Sequence, residues 1–103
     1  MTARPEAIQI SVETRIRWCR DTLFRNLGGE AVLLGTTPAA YDGLDLVGTR
    51  IWELIGEQEL LGDVVQLIVE EYDVNEVEAL VDTIRLVTEL VNHGLVEIVV
   101  PLA

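Results

Sequence analysis

Few residues in this chain could do covalent chemistry. The sequence has one cysteine, Cys19, one serine, Ser11, one histidine, His93, and no lysine. The absence of lysine excludes a P-loop and a Schiff base, because both need its amine. Ser11 and His93 lie near opposite ends of the chain, which disfavours a serine–histidine–acid triad. A structural zinc site takes three or four thiolate or imidazole ligands, and Cys19 and His93 supply two. We therefore expect no metal and no cofactor.

The carboxylates also lack a catalytic arrangement. The acidic cluster over residues 70–78 has neither the central glycine nor the alternating ligands of a calcium loop. It is predicted to be a solvated corner between two helices. Asp42 and Asp45 could pair as general acid and base, but Asp45 is better placed to cap a helix. We therefore predict a binding protein rather than an enzyme.

Length, composition and charge restrict the class further. The 103 residues suit one domain, and Leu, Val and Ile fill 37 positions, enough for a hydrophobic core. The net charge is -11, which repels phosphate backbones and anionic lipid headgroups. No apolar run approaches the ~18 residues of a membrane span. We expect neither nucleic acid nor membrane as a partner, and the single cysteine and missing signal-peptide pattern indicate the cytoplasm.

The N-terminal part is predicted to be β-structure. Apolar residues recur at period two between Ile8 and Trp18, which is typical of a half-buried extended segment. A hairpin is expected around Gly28-Gly29, since glycine takes the positive φ angles of a tight turn, and Pro38 breaks the chain after it. The three predicted strands cover residues 22–27, 31–34 and 39–42.

Three helices and a closing strand are predicted next. Asp45 should cap a helix that starts near Leu46 and ends at Gly56. A second helix starts at Leu61 and stops around Asp73. Asn75 should cap a third, which ends at His93 before Gly94. Residues 95–100 form the last strand.

These elements indicate an α+β fold. We expect a small winged helix-turn-helix-like domain, with an N-terminal three-stranded antiparallel sheet, a three-helix bundle and a short C-terminal strand. Residues 1–14 are taken as an N-terminal extension and residues 15–100 as the domain. A winged-helix regulator that binds DNA or a protein is the rival function, but its longest helix offers one cation, Arg85, among acids.

The third helix has more apolar surface than a bundle helix needs. One arc is predicted to face the core, and its members are Val77, Leu80, Val81, Ile84, Val87 and Val91. Ala79, Leu86 and Leu90 form a second arc, which either packs on the sheet or lines a groove for a partner. The third predicted strand is short, has mostly small side chains and follows a proline, and these are features of an edge strand. A peptide could pair with that edge and place side chains against the second arc, which is β-augmentation.

Five segments resemble the PqqD-like family over about residues 15–98. They are LGGEAVLL (27–34), YDGLD (41–45), VGTRIWELI (47–55), VEEYDV (69–74) and ELVNHGLV (89–96). The resemblance implies a non-catalytic precursor-peptide recognition element, which binds the leader of a ribosomally synthesised peptide by strand addition. It also implies delivery to modifying enzymes. The GTRIWEL segment is similar to stand-alone members that accompany lasso-peptide leader peptidases and cyclases, whereas other relatives serve radical S-adenosylmethionine (SAM) maturases.

The expected peptide-binding residues lie on the third strand and the third helix. In the family the leader lies beside that strand and against that helix. The predicted site consists of Ala39, Ala40, Tyr41, Asp42, Gly43, Leu44, Ala79, Asp82, Thr83, Leu86 and Leu90.

Overall fold

The computed structural model describes residues 10–20, 22–34 and 40–99, with residues 34 and 40–43 described by their backbone. The elements are β1 (Arg15–Trp18), β2 (Leu23–Leu27), β3 (Glu30–Leu34), β4 (Ala40–Leu44), α1 (Leu46–Glu57), α2 (Leu61–Tyr72), α3 (Glu76–Asn92) and β5 (Val96–Val99). The predicted α+β class is confirmed.

The strands form two small antiparallel sheets. Strands β2, β3 and β4 pair in that order, and β1 pairs with β5. In the second sheet Ile16 lies opposite Ile98 and Arg17 lies opposite Glu97, with which it forms an ion pair. From the sequence we predicted an N-terminal three-stranded antiparallel sheet and a short C-terminal strand, and the pairing of β1 with β5 in a second sheet corrects this. Local sequence patterns do not identify a partner so far along the chain.

The predicted hairpin and third strand are present. Gly28 and Gly29 have φ angles of 69° and 100°, and the amide of Gly29 donates to the side chain of Asn26 at 2.7 Å. Both φ angles lie in the left-handed region that glycine adopts readily, and this preference is why the two glycines predicted a turn. The third strand is β4, and residue 39 of the prediction lies outside the described residues.

The predicted caps begin α1 and α3. The Asp45 carboxylate accepts a hydrogen bond from the amide of Gly48 at 2.8 Å. The Asn75 side chain accepts from the amides of Val77 and Glu78 at 2.8 and 3.2 Å. Both caps satisfy amides that have no partner within the helix.

Helix α2 is capped by the N-terminal segment instead of a side chain. The amide of Leu61 donates to the carbonyl of Thr14, and the amide of Gly62 donates to the carbonyl of Val12, both at 2.9 Å. Ile10, just before them, packs against the core. The described part of the predicted extension is therefore bonded to the domain.

Gly56 does not end α1, contrary to the prediction. The helix continues to Glu57 and is followed by Gln58. A Cβ atom on Gly56 would lie 2.4 Å from Cζ2 of Trp18. The glycine is needed because an aromatic ring packs directly on the helix backbone, a contact that propensity alone cannot reveal.

The core is centred on Trp52. Its side chain is fully buried, as predicted, and stacks on Trp18 with ring centroids 5.0 Å apart. Phe24 meets Trp52 edge-on at 5.6 Å. The indole Nε1 of Trp18 donates to the carbonyl of Trp52 at 3.0 Å. This cluster joins β1, β2 and α1.

The predicted orientation of α3 is partly wrong. Val77 and Val81, assigned to the core, are 67% and 49% exposed. Val87 is fully buried, as predicted, and Leu80, Ile84 and Val91 pack against the core as partly buried residues. The rest of the buried face consists of Ala79, Thr83 and Leu90, which were not assigned to it. More than half of the helix circumference is apolar, so periodicity allowed either arc to face the core. The positions of the neighbouring helices and of β5 decide between them.

Candidate functional site

A groove of about 520 Å³ lies where the end of β4 meets the three helices. It runs between α3 and the start of α1, and the end of α2 closes one side. Its described lining consists of Leu44, Asp45, Val47, Gly48, Ile51, Ile68, Tyr72, Val74, Glu78, Ala79, Asp82, Thr83, Arg85, Leu86 and Glu89. We refer to this surface as the groove.

The floor of the groove is apolar. Leu44, Ile51, Ile68 and Ala79 are buried core residues that also line it, and Leu86 is half-buried above them. Such a floor suits an apolar part of a ligand, because its burial removes further apolar surface from water.

Gly48 sets the width of the groove at one end. A Cβ atom at this position would lie 3.3 Å from Cδ2 of Leu44 and 3.6 Å from Cδ2 of Leu86. These distances place Gly48 between the end of β4 and α3. A side chain at this position would occupy the space between them.

Strand β4 forms the edge of its sheet next to the groove. It pairs with β3 on one side, and within the described residues no strand pairs with its other side. The register shifts between the Ala31 and Leu33 pairings, which is a bulge-type irregularity in β4. The outer backbone groups of an edge strand are available to another extended chain.

Thr49 fixes this edge strand to α1. Its buried hydroxyl accepts a hydrogen bond from the amide of Ala31 at 2.9 Å and donates one to the carbonyl of Leu44 at 3.2 Å. Ala31 and Leu44 are paired residues of β3 and β4. One side chain thus holds both strands against the helix. This role of Thr49 was not predicted from the sequence, although a threonine among the apolar residues of α1 was a usable signal.

Arg50 holds α1 and α2 together. Its guanidinium makes two hydrogen bonds to the Glu71 carboxylate, at 2.8 and 3.0 Å, and a third to Glu53 at 3.1 Å. These bonds raise the pKa of Arg50, and the hydrogen bonds from Arg50 lower the pKa of Glu71. Within the predicted acidic corner, Glu71 therefore joins two helices.

The rim of the groove is acidic. Four of its described residues carry carboxylates, and Arg85 is the basic residue among them. Arg85 lies 3.3 Å from a carboxylate oxygen of Asp82. In the wall, the hydroxyl of Thr83 is buried and has no hydrogen-bond partner in the described part of the chain.

The structure brings most of the described predicted site residues together. Leu44, Ala79, Asp82, Thr83 and Leu86 line the groove. Leu90 is fully buried in the core and is absent from the described lining, because it belongs to the α3 face that packs inward. Residues 40–43 lie on β4, which is described by its backbone. Ile51, Ile68, Tyr72 and Glu78 also line the groove and were not in the predicted site.

The residues that could do covalent chemistry lie elsewhere. Cys19 is half-buried at the end of β1, and burial together with the nearby Glu97 raises the pKa of its thiol, which favours the unreactive protonated form. A ring nitrogen of His93 lies 2.8 Å from the carbonyl oxygen of Glu89, at the end of α3. The described residues contain no group of three His, Cys, Asp or Glu placed to hold a metal ion. No helix in the described ranges is long and apolar enough to cross a membrane.

The fold and the groove define a small α+β domain with an open sheet edge beside an apolar, acid-rimmed cleft. The chain belongs to the PqqD family, described as coenzyme PQQ synthesis protein D, whose pattern matches residues 30–96. It is similar to a solved structure, "TbiB1 in Complex with the TbiA(beta) Leader Peptide". That match has 30% sequence identity and a TM-score of 0.72, and it covers 79% of this chain and 94% of TbiB1. No curated protein sequence matches this chain.

Proposed function

We propose that this protein is a non-catalytic recognition protein that binds the leader of a ribosomally synthesised precursor peptide. The observation that carries the proposal is the position of the groove, which runs along helix α3 and reaches the end of the edge strand β4 at Leu44. A leader would add as a strand to β4 and place apolar side chains on the floor near Leu86. The similar structure of TbiB1 contains a leader peptide, which supports the same role for this chain.

The predicted site residues enter the proposal in two groups. Residues 39–44 supply the backbone edge, and Ala79, Asp82, Thr83 and Leu86 supply the opposite wall. Leu90 acts from within the core by holding α3 in place. The leader-binding domain is residues 15–100, arranged like a winged helix-turn-helix. It functions in the cytoplasm, where ribosomes make the precursor.

The bound leader is then delivered to modifying enzymes. A lasso-peptide leader peptidase and cyclase are the first candidates, because the GTRIWEL segment at residues 48–54 is similar to stand-alone members of such systems. A radical SAM maturase is the alternative partner. The neighbouring genes distinguish them, and they should include a short precursor gene; its absence would contradict the proposal.

Binding of the encoded leader is the direct test. A fluorescently labelled leader from that precursor should bind the full chain saturably, and Leu86→Gln should weaken the binding. The protein alone should cleave or modify nothing. If the leader does not bind, or if Leu86→Gln binds it as tightly as the wild type does, the proposal is wrong.

Duplex DNA tests the rival winged-helix function. Phosphate contacts make DNA affinity fall steeply with ionic strength. A protein with about 6–10 such contacts loses roughly 10³- to 10⁵-fold in affinity between about 50 and about 200 mM salt. Strand pairing on an apolar floor has a much weaker salt dependence. We expect no DNA binding at moderate salt, and tight, specific binding to a duplex would favour the regulator instead.

A further inference from the structure

The charged side chains around the groove are mostly acidic. Asp45, Glu78, Asp82 and Glu89 place carboxylates on its rim, and the single guanidinium, that of Arg85, already lies against Asp82. Glu78 has no ion-pair partner among the described residues. The rim therefore attracts a cation and repels an acidic ligand.

The buried hydroxyl of Thr83 is a second, independent observation. It lines the same groove, is fully buried and has no partner in the described part of the chain. Buried polar groups are nearly always hydrogen-bonded, and an unpaired one is unfavourable. A ligand group that donates a hydrogen bond to this oxygen would remove that defect.

We infer that the groove selects a leader residue with a basic side chain, an inference that rests on the proposed function. The aliphatic stem of a lysine or arginine would pack on the floor beside Leu86 and Ile51. Its charged head would donate to the Thr83 hydroxyl and face the carboxylates of Glu78 and Asp82. Long basic side chains commonly combine an apolar contact with a charged end in this way.

Random short peptides displayed as a library and selected on the full-length protein test this specificity. Peptides that depend on the groove are those that bind Leu86→Gln more weakly than wild type. This substitution leaves the charge of the protein unchanged. We expect these peptides to share a lysine or arginine at one position. Replacing that residue with glutamine should weaken binding, and the loss should shrink at high salt.

Matched variants of the protein locate the effect. Glu78→Gln and Asp82→Asn should each lower the affinity for the selected basic peptide by about two- to fivefold, as exposed charge pairs do. Glu57→Gln removes the same charge from the end of α1, outside the groove lining, and should have no effect. Thr83→Val keeps the side-chain shape and should weaken binding of the basic peptide without weakening that of an analogue with methionine at the same position, because methionine has no hydrogen-bond donor in its side chain.

The possible results separate the two proposals. If groove-dependent peptides are selected but carry no common basic residue, the specificity inference is overturned and leader binding stands. If basic peptides bind Leu86→Gln and wild type equally, the overall negative charge holds them and the inference is also overturned. If no selected peptide depends on the groove, the proposed function itself fails.

Discussion

The hydroxyl of Thr49 donates a hydrogen bond of 3.2 Å to the carbonyl oxygen of Leu44, the last residue of the edge strand. The hydroxyl oxygen of Thr49 also accepts a hydrogen bond from the amide of Ala31 on the neighbouring strand. The sheet edge next to the groove therefore has a fixed position relative to α1. A leader that adds to β4 would meet a strand that is already in place.

Thr49→Val should destabilise the fold by about 1–3 kcal/mol, because it removes the buried hydrogen bonds that the Ala31 amide donates and the Leu44 carbonyl accepts. Thr49→Ser keeps the hydroxyl and should lose less. Urea unfolding followed by tryptophan fluorescence measures both. Thr88→Val, at an exposed position of α3, is the control and should change stability by less than about 0.5 kcal/mol. Equal stability of Thr49→Val and wild type would show that these bonds contribute nothing.

Leu86 and Leu90 should respond differently to the same substitution. Leu86→Gln should leave the domain folded and weaken leader binding by about 1–3 kcal/mol, since Leu86 is half-buried in the groove wall. Leu90→Gln places an amide in the core and should destabilise the fold by roughly 2–5 kcal/mol. Thermal unfolding and leader titration of both variants give the comparison. If both substitutions lower the unfolding temperature equally, Leu86 is a core residue and the groove is not the binding site.

The Arg50–Glu71 pair should make the free energy of unfolding depend on pH in the acidic range. Hydrogen bonds from Arg50 lower the pKa of Glu71 below its ordinary value of 4.5. The stabilisation is therefore fully present above that pH and is lost as the pH falls through the lower folded-state pKa. Glu71→Gln should cost no more than about 1 kcal/mol at neutral pH, because the pair is solvent-exposed, and its difference from wild type should vanish in acid.

Glu70→Gln is the matched control for this experiment. Glu70 is the neighbouring carboxylate, and it accepts a hydrogen bond from Gln66 at 3.3 Å rather than from an arginine. Unfolding curves over a pH series should show little change for this variant. A constant difference between Glu71→Gln and wild type at every pH would assign the effect to something other than the ion pair.

Gly56→Ala should destabilise the fold although alanine favours helices. The added Cβ would lie 2.4 Å from the Trp18 ring, so the stacked tryptophans must move apart. Overpacking of this kind costs about 1–3 kcal/mol, and the near-ultraviolet circular dichroism of the aromatic cluster should weaken. Glu57→Ala, one residue further on and exposed, should alter neither signal. An increase in stability for Gly56→Ala would mean that helix propensity outweighs the contact.

The sequence alone determined the features that depend on a few neighbouring residues. The Gly28-Gly29 turn and the Asp45 and Asn75 caps were all predictable, because φ preferences and first-turn hydrogen bonds act locally. That the groove lies along α3 and reaches the edge strand was also predictable, because the strand is short with small side chains and the helix has surplus apolar surface.

Tertiary structure decided everything that depends on which surfaces meet. Both apolar arcs of α3 satisfy helical periodicity, and only the packing of the neighbouring elements buries Leu90 and exposes Val77. Gly56 has the sequence signature of a helix end, yet the Trp18 ring above it explains its presence within the helix. The pairing of β1 with β5 and the bonds of Thr49 join segments far apart in the chain. Such contacts are set by the free energy of burying the whole core, which no short stretch of sequence contains.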